Sequence, residues 1–411
     1  MLFDDVDLAA LADRIPTPFY AYSASALRER IAALQAGLEG CDSLVCYAVK
    51  ANSNRAILHL VGQAGFGADI VSAGELERSL LAGIPASRIV FSGVGKTADE
   101  IDAALAAGVW KFNVESHDEL LMLQSVAGRR GDIAHAAVRV NPDVDAQTHA
   151  KISTGKAENK FGVSIAEARR WFDEAATLPN VRLDGLHVHI GSQILTLDPF
   201  RQALQRVVAF WRELRAAGHS IASIDVGGGL GVSYRDAQDR PVAARDYVAL
   251  VRDVLREFDG RLVFEPGRWL VADAGVLVTR VIRTKQGEGR DFLVLDAAMN
   301  DLLRPAMYGA WHDVVPLHRD ARETVDYDVV GPVCESSDTF AVARPLPRCE
   351  PGDVVTLRSA GAYGASMGST YNSRPLIAEV LLDRGRYAIV RERQTIAQIV
   401  ENERLPEWAD A

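Results

Sequence analysis

No stretch of this 411-residue sequence is apolar for long enough to cross a bilayer, so a membrane-spanning chain is not expected. Basic charge is also scarce. The 45 Lys and Arg face 55 Asp and Glu, a net charge of −10. That balance offers no footprint for nucleic acid and no attraction to anionic lipid. Anionic substrates stay open, because a few arginines inside a cleft can override the global sign. Cysteine is sparse: Cys41, Cys46, Cys334 and Cys349 contain no CxxC pair, and no metal site is expected. The opening MLFDDVDLAALADR is acidic and lacks the basic start of a secretion signal. A disulfide framework is therefore not expected, and the reading is a cytoplasmic protein with reduced thiols. There is no solenoid repeat, low-complexity tract or long linker.

What the sequence does have is an alternation. Short β-like runs at 44–49, 68–71, 88–91, 111–114, 134–140, 183–189, 221–226 and 262–265 are separated by amphipathic stretches such as 73–82, 98–107, 164–175, 200–217 and 243–258. Eight strand–helix units point to an α/β fold, a (β/α)8 TIM-like barrel, in preference to a doubly wound open sheet. After Pro266 the character changes. Closely spaced β-rich runs at 275–282, 292–295, 326–330, 353–357 and 376–382 predict a C-terminal all-β domain, a β-sandwich or β-barrel. The strand-like 17–22 precedes the barrel and is expected to join that domain. The predicted division is a barrel over 25–268 and a β-rich domain made of 1–24 and 269–411.

Active sites of such barrels lie where the strands end. Strand one ends at Lys50, strand two carries Asp69, strand four reaches Asn113, and strand five gives Arg139. Strand six runs through His187 and His189 to Ser192. Strand seven runs into Gly227, Gly228 and Gly229, and strand eight into Glu265-Pro-Gly267-Arg268. Each residue has an ordinary reading. Lys50 is a solvated strand end, or else an amine made nucleophilic by desolvation. The glycine turn is a tight structural turn, or a cradle whose bare N–H groups hold a phosphate. His187 and His189 alternate along a strand, so only one is expected to enter the site. His189 is assigned to it, lying flat on an aromatic cofactor, and His187 is read as structural. Glu265 forms a salt bridge, or keeps a pyridine nitrogen protonated. Taken together, the lysine, phosphate cradle, stacking imidazole and carboxylate point to pyridoxal phosphate.

Tyr47-Ala-Val-Lys50-Ala-Asn52, His189-Ile-Gly-Ser192, the three glycines and Glu265-Pro-Gly-Arg268 resemble the fold-type III pyridoxal-phosphate-dependent decarboxylases over nearly the whole chain. Further segments resemble the members that act on diaminopimelate. These are His149-Ala-Lys-Ile-Ser-Thr-Gly155, Lys160-Phe-Gly162, Gly185-Leu-His-Val-His189, Cys334-Glu-Ser336, Ala360-Gly-Ala-Tyr-Gly-Ala-Ser-Met367 and Tyr371-Asn-Ser-Arg374. Ser337 and Ser359 depart from the pattern, which leads one to expect Gly and Asp there.

The resemblance implies a barrel joined to a β domain, and decarboxylation of meso-diaminopimelate to L-lysine and CO2, the last step of lysine biosynthesis. It implies that Lys50 carries the cofactor as a Schiff base, with Asp69 in the cofactor-binding set. His189 would stack on the ring and Glu265 would meet its pyridinium. Ser192, Gly227, Gly228, Gly229, Gly267, Arg268 and Tyr363 would hold the phosphate. Arg268, Arg304 and Tyr308 would take the substrate's distal carboxylate, with Tyr363 beside them, and Glu335 its distal ammonium. Cys334 would supply the proton that replaces CO2. The resemblance also implies a homodimer with shared active sites. Three rivals remain: a decarboxylase of ornithine, arginine or a carboxylated polyamine; an alanine-racemase-like enzyme; and an inactive regulatory homologue. Cys334 also has a plain reading as a small buried residue, and Arg304 with Tyr308 as a surface pair.

Overall fold

The computed structural model of the protein describes residues 1–146, 160–235, 238–318 and 321–410. The segment His149 to Gly155, which carries part of the resemblance, lies outside them. The chain forms two compact units, Leu27–Val271, and Met1–Ala26 together with Ala272–Ala411.

The first unit is built on eight strands: Ser43–Ala48, Gly67–Ile70, Ile89–Phe91, Lys111–Val114, Ala134–Asn141, Val181–His187, Ser223–Asp225 and Arg261–Phe264. Each pairs in parallel with the next in chain order. The eighth returns to the first, with Phe264 opposite Val45, and closes the barrel. All eight expected runs are present. Gly67–Ile70 and Lys111–Val114 are buried throughout. Strands covered on both faces read as unbroken runs rather than alternating ones.

The strand-to-helix loops end in caps that the sequence supplies. Ser72 accepts the Glu75 N–H at the start of Ala73–Leu81, and Thr97 forms a capping box with Glu100 at the start of Ala98–Ala107. Ser116 and Ser164 cap His117–Arg130 and Ile165–Glu174 in the same way. The caps at Ser72, Thr97 and Ser116 start their helices within a few residues of the strands before them, whereas the helix capped by Ser164 begins well after its strand ends at Asn141. The helices Arg55–Gln63 and His117–Arg130 complete the alternation beyond the stretches expected from sequence.

The second unit is a mixed sheet. Its order runs Thr339–Pro347, Thr324–Val330, Arg290–Leu295, Gly275–Gly287, Phe19–Ser23, Ala378–Asp383 and Arg386–Arg391. Val354–Leu357 pairs with Gly275–Gly287 and with Val314–Pro316. Phe19–Ser23 is the N-terminal strand expected to join, antiparallel to Gly275–Gly287 and parallel to Ala378–Asp383. Asp296 pins this junction. Its carboxylate accepts Thr17 Oγ1 at 2.5 Å, Thr279 Oγ1 at 2.6 Å and the Arg280 N–H at 2.9 Å. Leu8, Leu11, Phe19, Val276, Val278, Val380 and Leu382 form the core beneath.

One barrel position tests the packing. A Cβ on Gly185 would lie 2.7 Å from Ala137 Cβ and 3.1 Å from Ser223 Oγ, between two neighbouring strands. Overpacking of this kind costs about 1–3 kcal/mol. Gly185→Val is expected to lower the urea midpoint of the apoprotein accordingly, and an unchanged midpoint would contradict the close packing.

Candidate active site

Lys50 lies in the short turn Val49–Ala51 that follows the first barrel strand. Its Nζ is 2.8 Å from Asp69 Oδ2, and its side chain is 42% exposed while that of Asp69 is fully buried. The amine is thus tethered from below and reachable from above. Burial, then the nearby Glu265, push the Asp69 carboxyl upward, against the pull of Lys50.

Glu265 follows the eighth strand and lies buried in the barrel. Asn113 Nδ2 donates to its Oε1 at 3.2 Å, Ser92 Oγ is 3.5 Å from the same oxygen, and His187 Nε2 meets Oε2 at 3.3 Å. Burial alone would raise its pKa. His187, the hydrogen bond it makes and Lys50 outweigh that and hold the carboxyl well below the usual carboxylate range. The result is an ionised carboxylate in a dry interior, suited to a protonated ring nitrogen.

His189 lies beyond the end of its strand. The Gly228 N–H donates to its Nδ1 at 3.2 Å, so Nε2 carries the proton. Burial, then the Arg139 and Lys50 cations, push its pKa well below the ordinary value. A neutral ring is one that can lie against another ring without charge.

The two loops that follow strands six and seven are stitched together. Gln193, in the left-handed region at φ 61°, donates through Nε2 to the Val232 carbonyl at 2.6 Å and accepts the Val232 N–H at 3.2 Å. Ile194 pairs with Leu230, and the Glu265 N–H donates to the Gly227 carbonyl at 2.8 Å. These contacts explain the glycines. A Cβ on Gly228 would lie 2.2 Å from the Glu265 carbonyl oxygen, and one on Gly229 would lie 2.5 Å from that of Gly191. Of the turn's amides, Gly227 donates to Asp225 Oδ1 at 2.8 Å and Gly228 to His189.

Arg268 donates from Nε and Nη2 to Ser192 Oγ at 3.3 and 3.1 Å, and from Nη1 to Tyr234 Oη at 2.7 Å. Two N–H groups fill the acceptor sites of Ser192 Oγ, which leaves that hydroxyl its proton to offer. A fixed donor beside a guanidinium and a glycine turn fits a phosphate. A neutral ring, a buried carboxylate and a tethered amine stand on the same end of the barrel. The residues present therefore fit pyridoxal phosphate.

His187, expected to be a buried, hydrogen-bonded structural histidine, is buried with its ring on Glu265. Sequence reasoning assigned no part to Ser92, Asp225, Glu115 or Tyr234. Ser92 directly follows the third strand, so the strand-end rule could have found it. Glu115 holds Arg139 at 3.0 Å and accepts the Gly93 and Gly162 N–H groups at 3.1 Å each, which only the fold reveals.

The second unit carries the other candidates. Arg304 and Tyr308 share the short helix Arg304–Tyr308. Arg304 is buried and donates to His312 Nε2 at 2.7 Å, while His312 Nδ1 donates to the Arg358 carbonyl at 2.8 Å. Cys334 and Glu335 are exposed. The Cys334 N–H donates to Asn372 Oδ1 at 3.0 Å, and Glu335 accepts Tyr371 Oη at 2.9 Å and Ser337 Oγ at 2.6 Å. Two motifs far apart in sequence thus meet. The hydrogen bonds from Ser337 and Tyr371 lower the Glu335 pKa. Of the two departures from the pattern, Ser337 orients Glu335, and Ser359 Oγ donates to Asp273 at 2.7 Å. Tyr363 sits in the left-handed region at φ 55°.

Among the described residues no helix is long and apolar enough to cross a membrane. The family described as pyridoxal-dependent decarboxylase, pyridoxal binding domain, matches residues 24–272. The diaminopimelate decarboxylase of Pseudomonas aeruginosa is 49% identical over 403 residues, covering 98% of this chain and 96% of its own. That of Zymomonas mobilis is 46% identical over 408 residues, covering 98% and 97%. The crystal structure of diaminopimelate decarboxylase from Helicobacter pylori complexed with L-lysine matches with a TM-score of 0.93 at 41% identity, covering 97% of this chain and 99% of that one.

The neutral His189 has a consequence for stability. Its native pKa lies below the ordinary 6.5, so the unfolded chain takes up a proton first as the pH falls. Its stabilising contribution is full above pH 6.5 and is lost on acidification below it. His189→Gln in the apoprotein is expected to flatten the fall in urea midpoint between pH 7.5 and 5. Parallel slopes for both proteins would show that the native ring takes up its proton as the unfolded chain does.

Proposed function

We infer the reaction from one premise: the chain belongs to the pyridoxal-dependent decarboxylases and, within them, to the diaminopimelate decarboxylases. It is a pyridoxal-phosphate-dependent carboxy-lyase that decarboxylates meso-2,6-diaminopimelate to L-lysine and CO2 in lysine biosynthesis. The observation that carries this reading is the gathering of Lys50, His189, Glu265 and the glycine turn where the barrel strands end.

The division of labour among residues is our proposal. Lys50 supplies the amine that anchors the cofactor, and Asp69, 2.8 Å from it, steadies that amine when it is released. Glu265 holds the pyridine proton, and His189 packs on the ring. Ser192, the Gly227–Gly229 turn, Gly267, Arg268 and Tyr363 bind phosphate. Pyridoxal phosphate, when bound, supplies the electron sink for the pair left behind as the Cα–carboxylate bond breaks. The Cys334 thiol delivers the replacing proton to Cα.

Selectivity belongs to the distal end, because every amino acid presents the same α-group. Arg268, Arg304, Tyr308 and Tyr363 are assigned to the distal carboxylate. A substrate lacking that group forgoes the charged hydrogen bonds these residues would give it, which is a large penalty. Glu335 is assigned to the distal ammonium. Its support is the orientation imposed by Ser337 and Tyr371. A homodimer is part of the same proposal, with Cys334 and Glu335 serving the other subunit's barrel. Both are exposed on the β-rich unit, as residues offered to a partner must be. We place the protein in the cytoplasm, in keeping with its four free cysteines.

The purified protein with pyridoxal phosphate is expected to release CO2 and lysine from meso-diaminopimelate, and nothing from ornithine or arginine. Release from ornithine or arginine instead would overturn the distal assignments. Glu335→Ala is expected to lose about a hundredfold or more in kcat/KM, the loss of one charged hydrogen-bonded contact, while keeping the cofactor's visible absorbance. Normal turnover by that variant would remove Glu335 from the site.

A further inference from the structure

Asp225 ends the seventh barrel strand and is 3% exposed. The reaction as assigned above gives it no part. Its Oδ1 accepts the Gly227 N–H at 2.8 Å, and its Oδ2 lies 3.5 Å from Asn113 Nδ2. A carboxylate oxygen of Asp225, one of Glu265 and a ring nitrogen of His187 all lie within 4.8 Å of one another, and both carboxyls face the same Asn113 amide. Two carboxyl groups in such contact, away from water, cannot both be ionised. An oxygen–oxygen hydrogen bond needs a proton, and without one the pair repels.

The surroundings decide which partner keeps the proton. Glu265 faces His187 at 3.3 Å, the Asn113 amide at 3.2 Å and the Ser92 hydroxyl at 3.5 Å, with the Lys50 charge nearby. Every one of these favours the charged form there. Asp225 faces one backbone N–H, the far edge of the same amide, the negative side of Glu265 and Asp69, and the His187 ring, whose hydrogen bond goes to Glu265. The nearby cation Lys111 is already engaged, with Asp184 Oδ1 and Ser223 Oγ at 2.8 and 2.7 Å. Burial, followed by Glu265, pushes the Asp225 acid constant well above the ordinary one.

We propose that Asp225 is a neutral carboxylic acid that donates its single proton to Glu265, and thereby acts as the positioning residue for the cofactor's two ends at once. One oxygen holds the amide of Gly227 at the phosphate side. The protonated oxygen holds Glu265 at the ring-nitrogen side. The pair carries one negative charge, which matches one pyridinium. Two ionised carboxylates would place a second negative charge beside the first in the same dry interior, which is strongly unfavourable. This assignment rests on the cofactor reading above for its consequence, but the shared proton is a property of the protein alone.

Asp225→Asn separates the two possibilities. The asparagine amide has the shape of a protonated acid, can donate to Glu265 and can accept from Gly227. The apoprotein at neutral pH is expected to show the infrared C=O stretch of a buried protonated carboxyl, and Asp225→Asn is expected to remove that band. Pyridoxal phosphate affinity, followed by quenching of tryptophan fluorescence, is expected to stay within about threefold in Asp225→Asn. In Asp225→Ala it should weaken by about tenfold or more, the scale of one lost buried hydrogen bond to a charged group. A wild-type protein without the band, or an Asp225→Asn difference spectrum that shows no loss of protonated-carboxyl intensity, overturns the proposal. So does an Asn variant that binds as poorly as the Ala variant. If Asp225→Ala does not fold, the band and the Asn affinity still decide. Failure of the wild-type apoprotein to bind pyridoxal phosphate would strike the cofactor reading and leave the infrared result standing.

Discussion

The barrel is organised around a negative charge that has been taken out of water. An isolated carboxylate in a protein interior is destabilising by several kcal/mol unless donors surround it. Glu265 is tolerated because its donors converge from different strands: Ser92 lies 173 residues away in the chain, Asn113 152 and His187 78. Only a closed parallel barrel brings such distant positions onto one side chain. The converse also holds. Once the charge is in place, each inward polar residue near it is fixed by the requirement to face it. The rigidity needed for recognition of a flat aromatic cation thus comes from the same contacts that make the charge bearable.

How much of this was legible in the sequence follows from what kind of fact each residue expresses. Lys50, His189, the glycine turn and Glu265 stand at strand ends, and strand ends follow from periodicity alone. The closure of the barrel was legible for the same reason, since eight alternations repeat. His187 was read as a buried, hydrogen-bonded residue and is one, but the alternation argument carried the strand through residue 189. The strand stops at His187, the pleat stops with it, and the two imidazoles are not forced to opposite faces. Asp225, at the end of strand seven, and Glu115, just after strand four, stand where the strand-end rule looks, but their roles were not legible there. Their meaning lies in partners far along the chain, and no local pattern encodes a distance. The glycine turn was half legible: exposed amides were foreseen, but the amides of Gly227 and Gly228 serve the protein's own Asp225 and His189.

The β-rich unit shows the limit of propensity more plainly. Thr339–Pro347 is a nine-residue strand that sequence reading passed over, and it contains Pro345 and Pro347. It stands at the end of the sheet order, where a missing N–H leaves no neighbour short of a bond. Arg304 had a plain reading as half of a surface pair, yet it is buried and fixed through His312 to the backbone at Arg358. Ser337, read as a small departure from a pattern, is a ligand of the neighbouring Glu335 carboxylate. In each case the local rule was sound and the deciding information was the identity of a neighbour.

The placement of Phe19–Ser23 also sets a timetable for synthesis. That strand lies inside its sheet, and both of its neighbours, Gly275–Gly287 and Ala378–Asp383, are made after the whole of Leu27–Val271. Made before the barrel, it must wait with both edges bare until Gly275–Gly287 has been translated, and with one edge bare until Ala378–Asp383 follows. The barrel can mature during that interval; the β-rich unit cannot. An apolar strand held open during that interval presents unpaired edges to other chains. The yield of folded protein therefore depends on how fast the chain beyond Ala272 arrives, and not only on how stable the finished molecule is.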